Sequence, residues 1–315
     1  MFAYKRFAIV AIALATVLVS CWLLLSYRLP GNTHFWQSLQ NAGHAILFFA
    51  IAFVFSALLA ATRYKNKPFH IAFVVLVVSL VFGGVVELIQ GFIGREPSWS
   101  DMGLDAQGAI AGICVYLALF TRRVSRVVAT VLAAALLFNS LSLPIRWLIA
   151  EHQRGQCFPV IADFENRWLS MFVDGRSKAK AKIIPTPTIW ANNKSGRVLS
   201  VEFGRGRWPS VVFYELEPDW TAYNNFVFEA YNPQATPVTL SLRITDKSYS
   251  RKYSDRFNAQ LELVPGYNEI KIPLARISQL KSGRVMDLSQ VDELIVFTGK
   301  QTPPVTLYLD HFRLE

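Results

Sequence analysis

The chain has 315 residues, 52% of them hydrophobic, with 32 basic against 22 acidic residues. That basic excess comes without a basic helix or a recognisable nucleic-acid motif, which argues against nucleic-acid binding. Cys21, Cys114 and Cys157 are too few and too scattered for a disulfide framework or a zinc or redox spacing.

The averages conceal two different halves. Residues 1–155 hold 12 basic and 5 acidic residues among long apolar runs; residues 156–315 hold 20 and 17, mixed as on an ordinary exposed surface. A membrane-spanning helix needs about 20 apolar residues. The sequence predicts five spans, near 7–27, 44–62, 70–92, 102–121 and 126–148. The fourth carries Asp105 and Gln107, and Pro144 and Arg146 interrupt the fifth. Lys5, Arg6, Arg63, Lys65, Lys67, Arg122, Arg123 and Arg126 fall in the N-terminus and alternate loops. The remaining loops hold only Arg28 and Arg95 as basic residues. The positive-inside bias then expects a cytoplasmic N-terminus and everything after residue 150 outside. Lys5-Arg6, the apolar run and Leu18-Val19-Ser20-Cys21 also read as a lipoprotein signal ending at a lipidated cysteine. Trp22-Leu23-Leu24-Leu25 continues the apolar run, as an uncleaved span would.

A charge in hydrocarbon costs about 2.5 to 3.5 kcal/mol on insertion scales, so ionisable residues inside spans mark function. His44 is expected to begin the second span at its outer end. Glu87 and Gln90, three apart, share a face near the outer end of the third. Arg95, Ser98 and Asp101 are placed in the outer loop. Asp105, Gly108 and Gly112 follow Asp101 by four, seven and eleven residues, one stripe down the fourth helix. Gly83, Gly84, Gly91 and the Gly108/Gly112 pair favour close helix packing. Three readings of the cluster stay open. It is a packing network with Arg95 on Asp101 or Glu87; or a head-group site with Arg95 on phosphate; or a catalytic site with Glu87 or Asp101 as acid/base and His44 assisting. For a metal, His44, Glu87 and Asp101 lack a local ligand motif.

His44, Glu87-Leu88-Ile89-Gln90, Gly94-Arg95, Ser98, Asp101 and Gly108/Gly112 resemble the VanZ-like membrane family over about residues 35–122. Asn41 and Asp105 depart from that family's pattern, where a lysine and an asparagine are expected. The family's name comes from a protein linked to reduced sensitivity to a glycopeptide antibiotic. The resemblance therefore implies work at the cell envelope and brings no settled reaction.

From residue 198 the pattern turns to alternation with turn signals. Strands are predicted at 198–203, 211–217, 226–231, 238–244, 259–264, 269–272, 293–297 and 305–312. The basic run Lys178-Ala-Lys180-Ala-Lys182 reads as a solvated loop or as a segment near anionic head groups. Trp220, Tyr249, Tyr253 and Arg256 are candidate sugar contacts, with strand aromatics otherwise expected in the core. Asp163-Phe164-Glu165, Arg256-Phe257-Asn258, Pro265 to Ile270 and Tyr308-Leu309-Asp310-His311-Phe312 resemble galactose-binding-like jelly rolls, including carbohydrate-binding modules. That resemblance implies a structural calcium on Asp163, Glu165 and Asp310; oxygen ligands suit it.

The expected fold is multidomain: an all-α transmembrane bundle of about five spans (1–150), a connector that includes the first part of the outer domain (151–197), and an all-β antiparallel sandwich or jelly roll (198–315) whose first residues lie near 156. The expected protein is a multi-pass protein of a bacterial cytoplasmic membrane. It would bind or position an envelope glycan or lipid-linked glycan precursor, with membrane lipids as further partners. An enzyme on a lipid-linked glycan and a scaffold for a protein partner are the alternatives.

Overall fold

The computed structural model describes residues 2–62, 64, 66–93, 98–120, 126–299 and 304–315, with side chains from residue 11 onward apart from 14 and 25. The chain divides into two compact units, Met1–Leu148 and Ile149–Glu315. Arg95 and the loop residues Arg63, Lys65, Arg122 and Arg123 lie outside the described residues.

Five helices make up the apolar part: α1 (Phe2–Ser26), α2 (His34–Ala60), α3 (Pro68–Phe92), α4 (Trp99–Phe120) and α5 (Arg126–Cys157). Among the described residues, α2 to α5 are long and apolar enough to cross a membrane, and α1 contains the shorter apolar stretch Ala11–Leu24. This is the build of a multi-pass membrane protein. Three expected boundaries move. Helix α2 starts ten residues before His44, and α4 takes in Asp101. Helix α5 continues through Pro144 to Cys157. A proline inside a membrane helix removes one backbone donor, which neighbouring groups can offset.

Helix α3 shows how the sequence sorts its faces. Ile71, Val75, Ser79, Gly83, Val86, Glu87 and Gln90 form its buried stripe. Phe73, Val77, Val81, Val85, Leu88 and Phe92 form the exposed one. Both stripes follow the helical period, and Ser79, Glu87 and Gln90 all fall on the inner one, where a bilayer would leave them protein partners. Helices α2 and α4 touch backbone to backbone. A Cβ at Gly108 would run into the Ala45 carbonyl, and one at Gly112 into the Phe49 carbonyl. An apolar groove of about 140 Å³ between α1, α2 and α3, lined by Val17, Ile51, Phe55 and Phe82 among others, holds no ionisable group.

The second unit is a sandwich of two antiparallel sheets. Its strands are β1 (Val160–Ala162), β2 (Val173–Arg176), β3 (Ala179–Pro185), β4 (Arg197–Phe203), β5 (Ser210–Phe213), β6 (Asn225–Asn232), β7 (Val238–Asp246), β8 (Phe257–Leu263), β9 (Gly266–Pro273), β10 (Val291–Phe297) and β11 (Val305–Leu314), with a four-residue α6 (Leu274–Ile277). One sheet runs β3-β4-β11-β6-β9 with β1 beside β11; the other runs β2-β5-β10-β7-β8. All eight expected strands are present. The one at 211–217 stops at Phe213, two residues before Glu215 enters the left-handed region at φ 53°. Three further strands come from the connector. The Lys-Ala alternation expected in a loop is strand β3, with Ala179 buried, Lys180 and Lys182 exposed, and Lys180 paired to Glu202 across β4.

The core between the sheets is aromatic. Phe312, fully buried, has ring centroids of Phe213 at 4.5 Å and Phe228 at 4.8 Å. Phe312 reaches the core because β11 carries a bulge. Asp310 pairs with Glu229 and Arg313 with Val227, so two residues on β11 face one on β6. His311 takes up the irregularity at φ 52°.

Candidate functional site

In the helical unit the polar side chains meet where α2, α3 and α4 pack. His44 Nδ1 lies 3.0 Å from Asp105 Oδ1, and both residues are buried. His44 therefore does not head its span. It is the eleventh residue of α2, about 15 Å along the helix at the usual rise. Glu87 Oε2 accepts the N–H of Ser98 at 2.8 Å, which ties α3 to the start of α4 and sets a carboxylate at that helix's positive end. The other oxygens, Glu87 Oε1 and Asp105 Oδ2, are buried without a hydrogen-bond partner among the described residues. Asp105 Oδ2 faces Gly83, where an added Cβ would sit 2.6 Å from it.

The expected cluster is thus assembled in part. His44, Asp105 and Glu87 converge, and Asp101 stands in the first turn of α4 instead of a loop. Gln90 turns away, donating to the Leu24 carbonyl of α1 at 3.1 Å. Arg95 lies outside the described residues, so its expected pairing with Asp101 or Glu87 does too.

In the sandwich, the expected sugar contacts divide. Trp220 is fully buried, donating from Nε1 to the Glu217 carbonyl and stacked on Phe226 at 5.8 Å; it is a core residue. Tyr249, Tyr253 and Arg256 do come together. Arg256 Nη1 donates to Tyr249 Oη at 3.3 Å and its guanidinium lies 5.1 Å from the Tyr253 ring. Lys281 lies 5.7 Å from the same ring, so Tyr253 is already engaged by two cations. This loop is pinned from beneath. Arg284 contacts Asp246 at 2.5 and 2.9 Å and Asp255 at 2.6 Å. Hydrogen bonds from Ser250 and Arg284 hold the Asp255 carboxyl far below the usual carboxylate range. Burial alone would raise Asp246, but the Arg284 and Asp287 donors outweigh it and hold that carboxyl low.

A second surface went unread in the sequence. On the outward face of the six-stranded sheet, Tyr308 of β11 is in register with Tyr231 of β6, and Tyr231 with Tyr267 of β9. Ser200 and Lys182 extend that row across β4 and β3. Tyr231 and Tyr308 ring centroids are 6.4 Å apart, and Tyr267 is 46% exposed. Two residues along the strands, Asp310, Glu229 and Glu269 form a parallel carboxylate row, of which Asp310 is fully buried. Burial, then Glu229 and Glu269, push the Tyr267 phenol up. Trp190, buried, packs 5.7 Å from Tyr231 and 6.4 Å from Tyr267 and braces both rings.

The carboxylates expected to hold calcium serve other partners. Asp163 Oδ1 accepts the N–H of Asn166, and Glu165 Oε1 that of Arg197. Asp310 accepts Asn193 Nδ2 at 2.9 Å and the His311 N–H at 2.8 Å. Burial raises the Asp310 carboxyl, against those hydrogen bonds. No group of three or more His, Cys, Asp or Glu side chains placed to hold a metal ion occurs among the described residues, so Asp163, Glu165 and Asp310 do not form a ligand set.

No protein-family model and no curated protein matches the chain, so neither the VanZ-like resemblance nor its antibiotic-resistance association gains support. Solved structures do show similarity. An exo-β-agarase aligns over 50% of this chain and 25% of its own, at 16% identity and a TM-score of 0.40. A family 11 carbohydrate-binding module from Clostridium thermocellum, solved with a β-1,3-1,4-mixed-linked tetrasaccharide, aligns over 45% and 86%, at 15% identity and 0.33. A family 28 module, described as specific for non-crystalline cellulose, aligns over 50% and 94%, at 16% identity and 0.35. The chain thus spans a quarter of the agarase and most of each module.

Proposed function

We propose that this chain is a membrane-anchored glycan-binding protein of the bacterial envelope, its sandwich holding a saccharide on the outward face of the six-stranded sheet. The observation that carries the reading is the tyrosine row, Tyr308, Tyr231 and Tyr267, set in register beside the carboxylates of Glu229 and Glu269. Sugar rings present apolar faces edged by hydroxyls. Rigid aromatic rings take the faces, and carboxylates accept the hydroxyl hydrogens. The row crosses three strands at about 5 Å each, a length suited to two or three sugar units. The charge bias of the loops favours a cytoplasmic N-terminus and a sandwich outside the cytoplasmic membrane.

In the same reading the helical cluster holds a polar head group, such as that of a lipid-linked glycan precursor. Glu87 Oε1 and Asp105 Oδ2 support this. Among the described residues these buried acceptors have no donor, which is costly, and a hydroxylated or cationic ligand would satisfy them. The unfilled Glu87 Oε1 also suits a second reading, in which Glu87 or Asp101 acts as acid or base on that ligand.

The test is retention of the detergent-solubilised full-length chain on a panel of immobilised glycans that includes envelope polysaccharides and mixed-linked β-glucan. The expected result is binding to at least one glycan that drops by about tenfold or more in Tyr231→Ala and Tyr308→Ala, each losing a stacking contact of about 1.5 kcal/mol. Binding that survives both substitutions, or no binding to any glycan, refutes the reading.

A further inference from the structure

Next to the tyrosine row, the bulge at His311 assembles an arrangement that sugar binding does not need. In strict alternation along β11, Leu307 and Leu309 face the core while Tyr308 and Asp310 face outward, so His311 would point inward. The extra residue turns it out instead. Its side chain is one-third exposed, and Phe312 takes the core position. The φ of 52° at His311 lies in the left-handed region, the backbone change by which the bulge re-aims the side chain.

His311 Nε2 lies 3.0 Å from Ser195 Oγ. Its Nδ1 lies 3.3 Å from Glu229 Oε1 and 3.6 Å from Asp310 Oδ2, ion-pair distances without hydrogen-bond alignment. Carboxylates beside Nδ1 favour the tautomer protonated there, which leaves the Nε2 lone pair to accept the Ser195 hydroxyl proton. Ser195 itself is held in place. Its N–H donates to Asn193 Oδ1 at 2.7 Å, its carbonyl accepts Thr186 Oγ1 at 2.6 Å, and Asn193 Nδ2 anchors the loop on Asp310. The carboxylate row lies about 7 Å from the tyrosine row, two residues along a strand, so a substituent on a bound sugar can reach the serine.

We propose that Ser195, His311 and Glu229 form a hydrolytic site for acyl esters, with an O-acylated saccharide as substrate. Ser195 Oγ attacks the acyl carbonyl while its proton passes to His311 Nε2, with Glu229 and Asp310 stabilising the imidazolium. The bond to the sugar oxygen breaks, and that oxygen takes the proton from Nε2. Water then attacks the acyl-serine by the same proton path and releases the carboxylic acid. The saccharide part rests on the glycan reading above; the serine chemistry does not.

The experiment treats the detergent-solubilised full-length chain with a fluorophosphonate, with p-nitrophenyl acetate and with an O-acetylated polysaccharide. The expected result is a phosphonyl adduct on the peptide containing Ser195, ester turnover, and acetate release from the polysaccharide. Ser195→Ala abolishes the adduct. His311→Asn keeps a residue tolerant of left-handed backbone and lowers turnover by about 100-fold, the size of a general-base contribution. Tyr231→Ala lowers acetate release from the polysaccharide. No adduct on Ser195, or an adduct that forms equally fast in His311→Asn, overturns the site. Turnover of the small ester without acetate release overturns the saccharide assignment alone.

Discussion

Asp246 in the sandwich and Asp105 in the helical unit are both 1% exposed, yet their surroundings differ. Asp246 accepts two hydrogen bonds from Arg284 and one from the Asp287 N–H. Asp105 has His44 on one oxygen and, among the described residues, no hydrogen-bond partner on the other. A buried acid with its acceptors filled is a staple, since its cost is met inside the fold. One left half-filled is a place where the fold gives up stability that a ligand can return.

The strongest way to break that comparison is to remove the partner from the filled site. Arg284→Met leaves Asp246 as an unpaired buried carboxylate. It is expected to cost about 3 kcal/mol, toward the low end for a broken buried pair because Arg284 is partly exposed. Thermal unfolding of the sandwich should fall by roughly 6 to 12 °C. A change under about 2 °C would mean the staple contributes little. Next in size is Gly108→Ala. Its methyl meets the Ala45 carbonyl, and pushing α2 from α4 should cost about 1 to 3 kcal/mol, read as faster unfolding of the helical unit in detergent.

Asp105→Asn sharpens the contrast from the other side. The amide oxygen can keep the His44 contact while a buried charge is removed, so stability should shift by less than about 1 kcal/mol in either direction. Mass spectrometry of co-purifying lipid should nevertheless show the head-group ligand lost. Stability falling by several kcal/mol with lipid retained would make Asp105 a staple as well.

The smallest effect is a slope with pH. Asp246 and Asp255 have lowered carboxyls, so their stabilisation is present above the unfolded-state value near 4 and fades as pH falls below it toward the folded values. Melting of the sandwich should be flat from about pH 7 to 5 and decline from about pH 4 downward. Arg284→Met should flatten that decline.

Much of the architecture was legible in the chain. Alternating apolar residues marked eight strands, because strands half-buried in a sandwich impose a period of two. Strands β1 to β3 escaped because β1 and β2 are three and four residues long and β3 turns small alanines inward. Glu87, Asp101, Asp105 and His44 announced themselves as polar residues in apolar helices. Their division of labour did not, since Gln90 differs from Glu87 in partner and not in face.

The sequence alone determined where the polar groups of the helical unit fall and that an all-β half follows, because bilayer cost and strand alternation act on local chain. Tertiary structure decided which of those groups meet. His44 and Asp105 are 61 residues apart and touch because Gly108 lets α2 and α4 close together. The tyrosine row exists because sheet order sets β11, β6 and β9 side by side, and His311 faces outward because one bulge shifts the register. Register and strand order depend on contacts between distant segments, and no local pattern of residues encodes them.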